Sequence, residues 1–596
     1  MQHNLYYQDE YVKDTFNGKM LLRLIKRAFS HKNWFVGSLI IEFIASAFSL
    51  LPSILYSVIV SRVFPSDGVL PADYALMAGL ALGGLAVVYL TLTVTYFLES
   101  YIPERFAYLL CSELRSELFG HVTHLSFRYF DTHATGKILV RATNYIDELS
   151  QLFGQLFYML LYFACVIVVG LAWIFALDWR LALAVVAALV PLTAVMYFMS
   201  RAIHNRAGRD RNKNSNYTAF VTENISGAEV VRAYNRGALN EQIADGLFDE
   251  YSRAFMRTTR VREAFFPLSN GFINAVTVLL VYGVALALSL TGGGMDLGTV
   301  VAVGLVLSEI TGGLGNICQQ ISNVFALTTN VERVYDTIDT PIEIADRENA
   351  VPLADCRGEV RFDHVNFSYV ESVPVLKDFT LEAAAGETVA LVGATGSGKI
   401  TIVNLLSRFY DVQSGAVTVD GRDVREYTLQ TLRTGVGAMM QDTFLFHGTV
   451  LENIRFARPD ASDEACIAAA RAAHADAFIR RLPEGYATEI DEGYALSGGE
   501  RQLLSFARLI LADPRIIVLD EATSHVDTQT EREVQESLKA LLKGRTSFVI
   551  AHRLSTIRGA DKIVFIRDGE IAEQGTHEEL IALNGAYAQM IRAAAV

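Results

Sequence analysis

The chain has 596 residues, a formal net charge of −14 and a mean hydropathy of +0.28, which is high for a soluble protein. The length allows about three or four domains, and the acidic balance speaks against nucleic acid as a partner, because such footprints are basic. The five cysteines (Cys111, Cys165, Cys318, Cys356, Cys466) are scattered with no CxxC pair, so neither a disulfide framework nor a cysteine metal site is expected.

The chain opens on a polar, acidic segment, MQHNLYYQDEYVKD, and its first apolar run is too long for a signal sequence, so no cleaved signal peptide is expected. Residues 20–32, MLLRLIKRAFSHK, alternate apolar and basic positions at helical spacing. They read as an elbow helix on a membrane surface, or as the start of the first span. Six apolar runs follow, near 34–62, 74–99, 151–177, 181–203, 264–290 and 297–325. Crossing a bilayer takes about 20 residues, so each qualifies as a transmembrane helix. Lys and Arg crowd the segment before the first run and the segment between the fourth and fifth, which places both termini in the cytoplasm. The connections at about 100–150 and 204–262 keep helical periodicity and read as spans continued far into the cytoplasm. Each has a break rich in turn residues, at Tyr129–Gly136 and at Glu223–Gly227.

On the sixth run Glu309, Gly313, Asn316, Gln320 and Asn323 share one helical face, and Asn270, Asn274 and Thr277 share one on the fifth. Polar groups facing lipid are costly, so these faces are expected to line a substrate pathway. Polar contacts between helices would produce the same pattern.

Around Val331 the character changes: charges appear, and Asp339-Thr340-Pro341 breaks the helix. The resulting division is an N-terminal cytoplasmic segment with the elbow helix at 1–33, a transmembrane domain at 34–330, a linker at 331–350 and an α/β nucleotide-binding domain at 351–596. In the last part, short apolar strands alternate with helical patterns.

Val389–Val392 reads as a buried strand, followed by a loop, Gly393-Ala394-Thr395-Gly396-Ser397-Gly398-Lys399-Ile400-Thr401, and then by a helical pattern. Glycines there turn backbone N–H groups towards a phosphate, the helix N-terminus adds partial positive charge, and Lys399 reaches the terminal phosphates. ATP with Mg²⁺ is the expected cofactor. The departure is Ile400, where the loop normally supplies a hydroxyl to Mg²⁺. Thr401 lies about 100° further round the helix and cannot take that place without rewinding. Arg515–Leu519 is a second buried strand, ending in Asp520 and Glu521. Asp520 is placed to hold Mg²⁺ through water, and Glu521 to polarise the attacking water. Gln441 is placed to reach the metal and the γ-phosphate region, and His552 to contact the γ-phosphate. Tyr369 is expected on the first strand of the domain, where its ring can stack on adenine.

Leu496-Ser497-Gly498-Gly499-Glu500-Arg501-Gln502 resembles the signature sequence of ATP-binding cassette (ABC) transporters, and Asp527, in Ser524-His525-Val526-Asp527, resembles that family's D-loop. With six spans before one cassette, the resemblance covers essentially the whole chain and is to a half-transporter of the exporter type, related to multidrug and lipid exporters. It implies that Ser497, Gly498 and Gly499 cap the γ-phosphate of ATP held by a partner subunit, that the two loop breaks are coupling helices, and that the chain dimerises. Intact Glu521, His552 and Leu-Ser-Gly-Gly permit a homodimer; Ile400 and the form of the D-loop favour a heterodimer. The implied activity is ATP-driven export of a small molecule, lipid or peptide by alternating access, in a bacterial inner or plasma membrane. An ATP-gated channel or a regulatory subunit with weak hydrolysis is the alternative.

Overall fold

The computed structural model describes residues 18–63, 74–133, 135–268, 271, 274–290, 297–439, 443–490, 496–520, 528–551 and 554–594. The chain divides into two compact units: Met1–Thr123 with Thr135–Thr340, and His124–Ala134 with Pro341–Val596.

The described residues of the first unit are helical. α1 (Gly18–Ala28) buries Leu24 and Ala28, while Arg23 donates to Asp339 at 2.5 and 2.8 Å and Arg27 pairs with Glu113 and Glu117. α2 (Lys32–Ser49) and α3 (Leu51–Val63) are one apolar run interrupted at Leu50. Pro52 follows at the start of α3, where a missing N–H is tolerated. α4 (Tyr74–Val122) runs unbroken far beyond the apolar stretch that begins it. α5 (Phe127–Thr132) belongs to the second unit. α6 (Thr135–Ala142) and α7 (Asn144–Gln151) lead through a π-helical turn, Leu152–Leu156, into α8 (Phe157–Leu177). Asp178 accepts from Arg180 N at 2.7 Å and caps α9 (Trp179–Ser226), so two spans meet in a one-residue turn. α9 is followed by α10 (Ala228–Ala233), α11 (Gly237–Phe266), α12 (Asn274–Leu290) and α13 (Leu297–Ile338).

Among the described residues, five helical stretches are long and apolar enough to cross a membrane: Leu22–Val60, Tyr74–Val122, Thr135–Leu177, Trp179–Ile203 and Gly298–Ile317. The fifth apolar run of the sequence appears as a shorter apolar helix, Ala275–Ala287. Leu24, Phe106, Leu114, Phe153 and Tyr335 centre one core of this unit, and Val166, Val185, Val281 and Val306 another.

In the second unit β1 (Val360–Phe367), β2 (Leu376–Ala383), β4 (Ser414–Val419) and β5 (Arg422–Asp423) form an antiparallel sheet in the order β2–β1–β4–β5. The larger sheet comprises β3 (Thr388–Gly393), β6 (Val436–Met439), β9 (Ile516–Asp520), β10 (Thr546–Ile550), β11 (Lys562–Arg567) and β12 (Glu570–Gly575), in the order β12–β11–β3–β10–β9–β6. It is parallel except for β12. β9 and β10 are buried at every position, as strands covered on both faces must be. β7 (Gly448–Thr449) and β8 (Glu489–Ile490) pair separately. α14 (Lys399–Leu406) follows β3 and α15 (Leu429–Gly435) leads into β6. α16 (Val450–Arg455), α17 (Asp463–Ala472), α18 (Asp476–Ile479) and α19 (Gly498–Ala512) surround a second core containing Ile454, Cys466, Phe478 and Phe506.

Candidate functional site

The site is built at the carboxyl ends of the parallel strands, where open α/β sheets place their ligands. β10 lies between β3 and β9, with Ile550 beside both Leu391 and Asp520. The loop after Gly393 and the Asp520 carboxylate therefore emerge at one edge. Two turns of the loop need left-handed backbone, at Gly396 (φ 83°) and Gly398 (φ 107°). Gly398 also leaves no room for a side chain, since a Cβ would stand 2.8 Å from Leu376 Cδ2. Its carbonyl starts α14, whose first N–H groups face the loop.

Lys399 is buried, and its Nζ donates to Gly393 O at 2.9 Å and Ala394 O at 2.8 Å. Burial pulls the ammonium below the usual lysine value, and the nearby Asp520 opposes that shift. Ser397 Oγ is buried with no hydrogen-bond partner among the described residues. The space above Gly396 is open. An orphaned donor, a buried cation and a helix start in one loop fit a chain of phosphates.

Ile400 is 51 % exposed, whereas Thr401 is 3 % exposed. The Thr401 hydroxyl donates to Tyr369 Oη at 3.3 Å, into the domain. Asn404 Nδ2 donates to the same Tyr369 oxygen at 3.0 Å. Tyr369 lies two residues beyond the end of β1, so the expectation that it sits on the first strand is corrected. The strand ends at Phe367, and the Tyr369 ring stands nearly perpendicular to those of Phe367 and Tyr410. Thr395 belongs to the loop, with its neighbours Ala394 and Ser397 closing a turn through Ser397 N to Ala394 O at 3.1 Å.

Ser497 caps α19: its hydroxyl accepts from Glu500 N at 3.3 Å, and Glu500 Oε2 accepts from Ser497 N at 2.8 Å. Gly498 is exposed with open space around it, and Gly499 is buried. Gln441, Glu521, Asp527 and His552 lie outside the described residues.

On α13 Glu309 is exposed, and Asn316 Nδ2 donates back to Gly312 O at 3.1 Å. Gln320 is half-buried, and Gly313 is buried against Phe163 of α8. Asn274 and Asn323 begin α12 and lie in α13, with their side chains outside the description, and Asn270 lies outside it altogether.

The residues that receive α5 were not among those singled out in the sequence. Phe127 stacks on Phe409 with ring centroids 4.2 Å apart, Tyr410 Oη donates to Asp131, and Arg128 donates to Tyr369 O at 3.3 Å. Burial, with Asp131 next in effect, pushes the Tyr410 hydroxyl up. The aromatic pair Phe409-Tyr410, directly after α14, was the available signal.

Two family descriptions match: the ABC transporter transmembrane region over residues 33–313 and the ABC transporter domain over residues 376–524. The uncharacterised ABC transporter ATP-binding protein YknV of Bacillus subtilis is 40 % identical over 492 residues, 81 % of this chain and 80 % of that protein. The fatty acid ABC transporter ATP-binding/permease protein of Mycobacterium tuberculosis is 37 % identical over 485 residues, 80 % of this chain and 76 % of that protein. A solved bacterial Atm1-family ABC exporter with ATP bound aligns at a TM-score of 0.78 and 28 % identity, covering 95 % of this chain and 98 % of that one. A multi-pass membrane domain and an ATP-binding cassette thus share one polypeptide, and the chain belongs to the ABC transporter family, as an exporter-type half-transporter whose cassette is an ATPase coupled to transport.

Proposed function

We propose that the chain is one half of a dimeric exporter that moves an amphiphilic small molecule, a lipid or a peptide by alternating access, from a bacterial inner or plasma membrane, with its cassette in the cytoplasm. The observation that carries this reading is α5: a helix lying in sequence between two membrane helices packs into the cassette through Phe127 on Phe409. Phe409 lies three residues after the end of α14, the helix that opens at the phosphate loop, so closure around nucleotide has a short path to the membrane helices.

In this reading the backbone of residues 393–398 and Lys399 hold the phosphates, Tyr369 meets the adenine, and Asp520 with Gln441 holds Mg²⁺. Glu521 orients the attacking water, His552 contacts the γ-phosphate, and Ser497, Gly498, Gly499 and Asp527 complete the partner's site. Mg²⁺ supplies charge neutralisation between the β- and γ-phosphates when bound. Glu309, Asn316, Gln320, Asn323, Asn270 and Asn274 line the pathway.

Two substrate classes follow: fatty acids, by analogy with the mycobacterial relative, and amphiphilic cations or zwitterions, because Glu309 is an exposed acidic residue on α13. ATP-dependent accumulation of each in inside-out vesicles, with Glu309→Gln alongside, tests the reading. Cation uptake should fall with neutral analogues unaffected; equal transport of both by the variant would remove Glu309 from selection. One feature favours a second reading, an ATP-gated channel: Ile400, which supplies no oxygen to a metal. Accumulation against a gradient excludes it, and dissipation only down a gradient supports it.

A further inference from the structure

The segment from α1 to the start of α2 carries Lys19, Arg23, Lys26, Arg27 and Lys32, and no Asp or Glu occurs between Gly18 and Ile41. The structure divides these cations into two sets. Arg23 donates to Asp339, the residue after α13, and its guanidinium lies 4.3 Å over the Tyr335 ring. Arg27 pairs with Glu113 and Glu117 of α4, and His31 Nε2 lies 3.2 Å from Glu113 Oε2. Lys26 and Lys32 are exposed, with no carboxylate partner among the described residues. The side chain of Lys19 lies outside the description. Leu22, Lys26 and Phe29 stand at i, i+4 and i+7, the spacing of one helical face. Leu22 is 67 % exposed, Phe29 55 %, and Trp34, beyond the turn, 37 %. The turn itself is held: Ser30 Oγ donates to Arg27 O at 2.8 Å, the Phe29 and Phe35 rings are 5.3 Å apart, and Phe35 lies 5.4 Å from Phe106 of α4.

Of water, protein and lipid, lipid suits this face best. Water would leave three large apolar side chains bare. Protein interfaces are depleted in lysine, and here the lysines alternate with the apolar groups. A bilayer accepts both: aromatic rings settle at headgroup level, and a lysine stem lies along apolar surface while its ammonium reaches outward. Lys32 is the first residue of α2, so the face leads directly into the helix that crosses the bilayer. Two ammoniums with no carboxylate beside them favour a headgroup of net negative charge over a zwitterion.

We propose that Lys26 and Lys32, with Leu22, Phe29 and Trp34, bind an anionic phospholipid of the leaflet that α2 enters. Its headgroup meets the two ammoniums, and its chains run along the exposed apolar side chains. Arg23 and Arg27 are not part of the site, because carboxylates already neutralise them. Arg23 instead joins the same helix to Asp339, two residues before Pro341, where the second unit begins. The lipid therefore holds a helix that is tied to the end of α13.

The test is quenching of Trp34 fluorescence by brominated lipids in vesicles holding the full chain, with any half that co-purifies. The Trp34 signal is the difference between this complex and its Trp34→Phe variant. Brominated phosphatidylglycerol should quench at a lower mole fraction than brominated phosphatidylcholine, by about fivefold for each lysine engaged. The preference should shrink in Lys26→Gln and in Lys32→Gln and vanish in the double variant. Equal quenching by the two lipids, or a preference that the double variant keeps, overturns the proposal. Quenching by neither lipid also overturns it, since a protein surface would then cover the face. Should the double variant fail to assemble, salt decides with the unaltered complex. At about 1 M the screening length is about 3 Å, so a preference built on two exposed ammoniums must collapse. A preference that survives such salt overturns the proposal equally.

Discussion

At Ile400 a single side chain alters what the phosphate loop offers a metal. The backbone N–H groups of residues 393–398 and the Lys399 ammonium do not depend on it, so nucleotide binding should survive. The two hydroxyl sources nearest in sequence are not replacements: Ser397 is on the other side of the Gly398 turn, and Thr401 is turned inward onto Tyr369. Water can fill the missing metal position, since Mg²⁺ commonly keeps several waters. The expected outcome for Ile400→Ser or Ile400→Thr is a faster ATPase, by about tenfold on the scale at which outer contacts to a metal act, with a lower Mg²⁺ requirement. An unchanged rate and an unchanged Mg²⁺ titration would show that Ile400 is tolerated. A separate outcome belongs to Glu521. In the mechanism proposed above its carboxylate places water and does not hold nucleotide, so Glu521→Gln should bind ATP normally and lose turnover by about 10²-fold or more. Residual hydrolysis above about a tenth of wild type would put the general base elsewhere.

Among the elements, α5 is the most informative because it is short and its contacts are few. A stacked aromatic pair is worth about 0.5–1.5 kcal/mol beyond its buried area. That is too little to hold the cassette fold, whose core lies elsewhere among Val360, Phe379, Leu391 and Phe548. Phe127→Ala should therefore leave basal ATP hydrolysis within about twofold while abolishing ATP-dependent transport, the combination expected of a broken linkage. Parallel loss of both activities would mean that Phe127 supports folding instead. The sequence made the phosphate loop readable because strand, glycines, lysine and helix are contiguous, and local chemistry alone specifies their order. The signature helix was readable for the same reason: Ser497 and Glu500 are a capping box three residues apart. The partners of α5 were not, since Asp131 and Tyr410 are 279 positions apart and nothing local pairs them. Tyr369 was misplaced by two residues because strand ends are the least determined part of an aromatic, alternating pattern.

For the whole molecule, the rate of hydrolysis depends on which chain completes each ATP site. A half-transporter dimerises, and in the arrangement proposed above a phosphate loop from one chain faces the Ser497 helix of the other. In a homodimer both loops carry Ile400, and both sites share its deficit. In a heterodimer one site joins this chain's Leu496-Ser497-Gly498-Gly499 to a partner's loop, and only the other site is built on Ile400. The second arrangement preserves one fast site at no cost to this chain's sequence, which is why we favour it. The protomer mass is 65.7 kDa. Native mass spectrometry of the complex purified from its own host, through a tag on this chain alone, should show this chain with one different chain of similar size and little of twice the protomer mass. The kinetics should agree. In that complex Ser497→Arg on this chain should remove most of the ATPase rate, because it blocks the site that uses the partner's loop, while Ile400→Ser adds only a modest increment. A complex of twice the protomer mass, in which Ile400→Ser accelerates hydrolysis strongly at both sites, would establish the homodimer instead and leave Ile400 as a brake common to both halves.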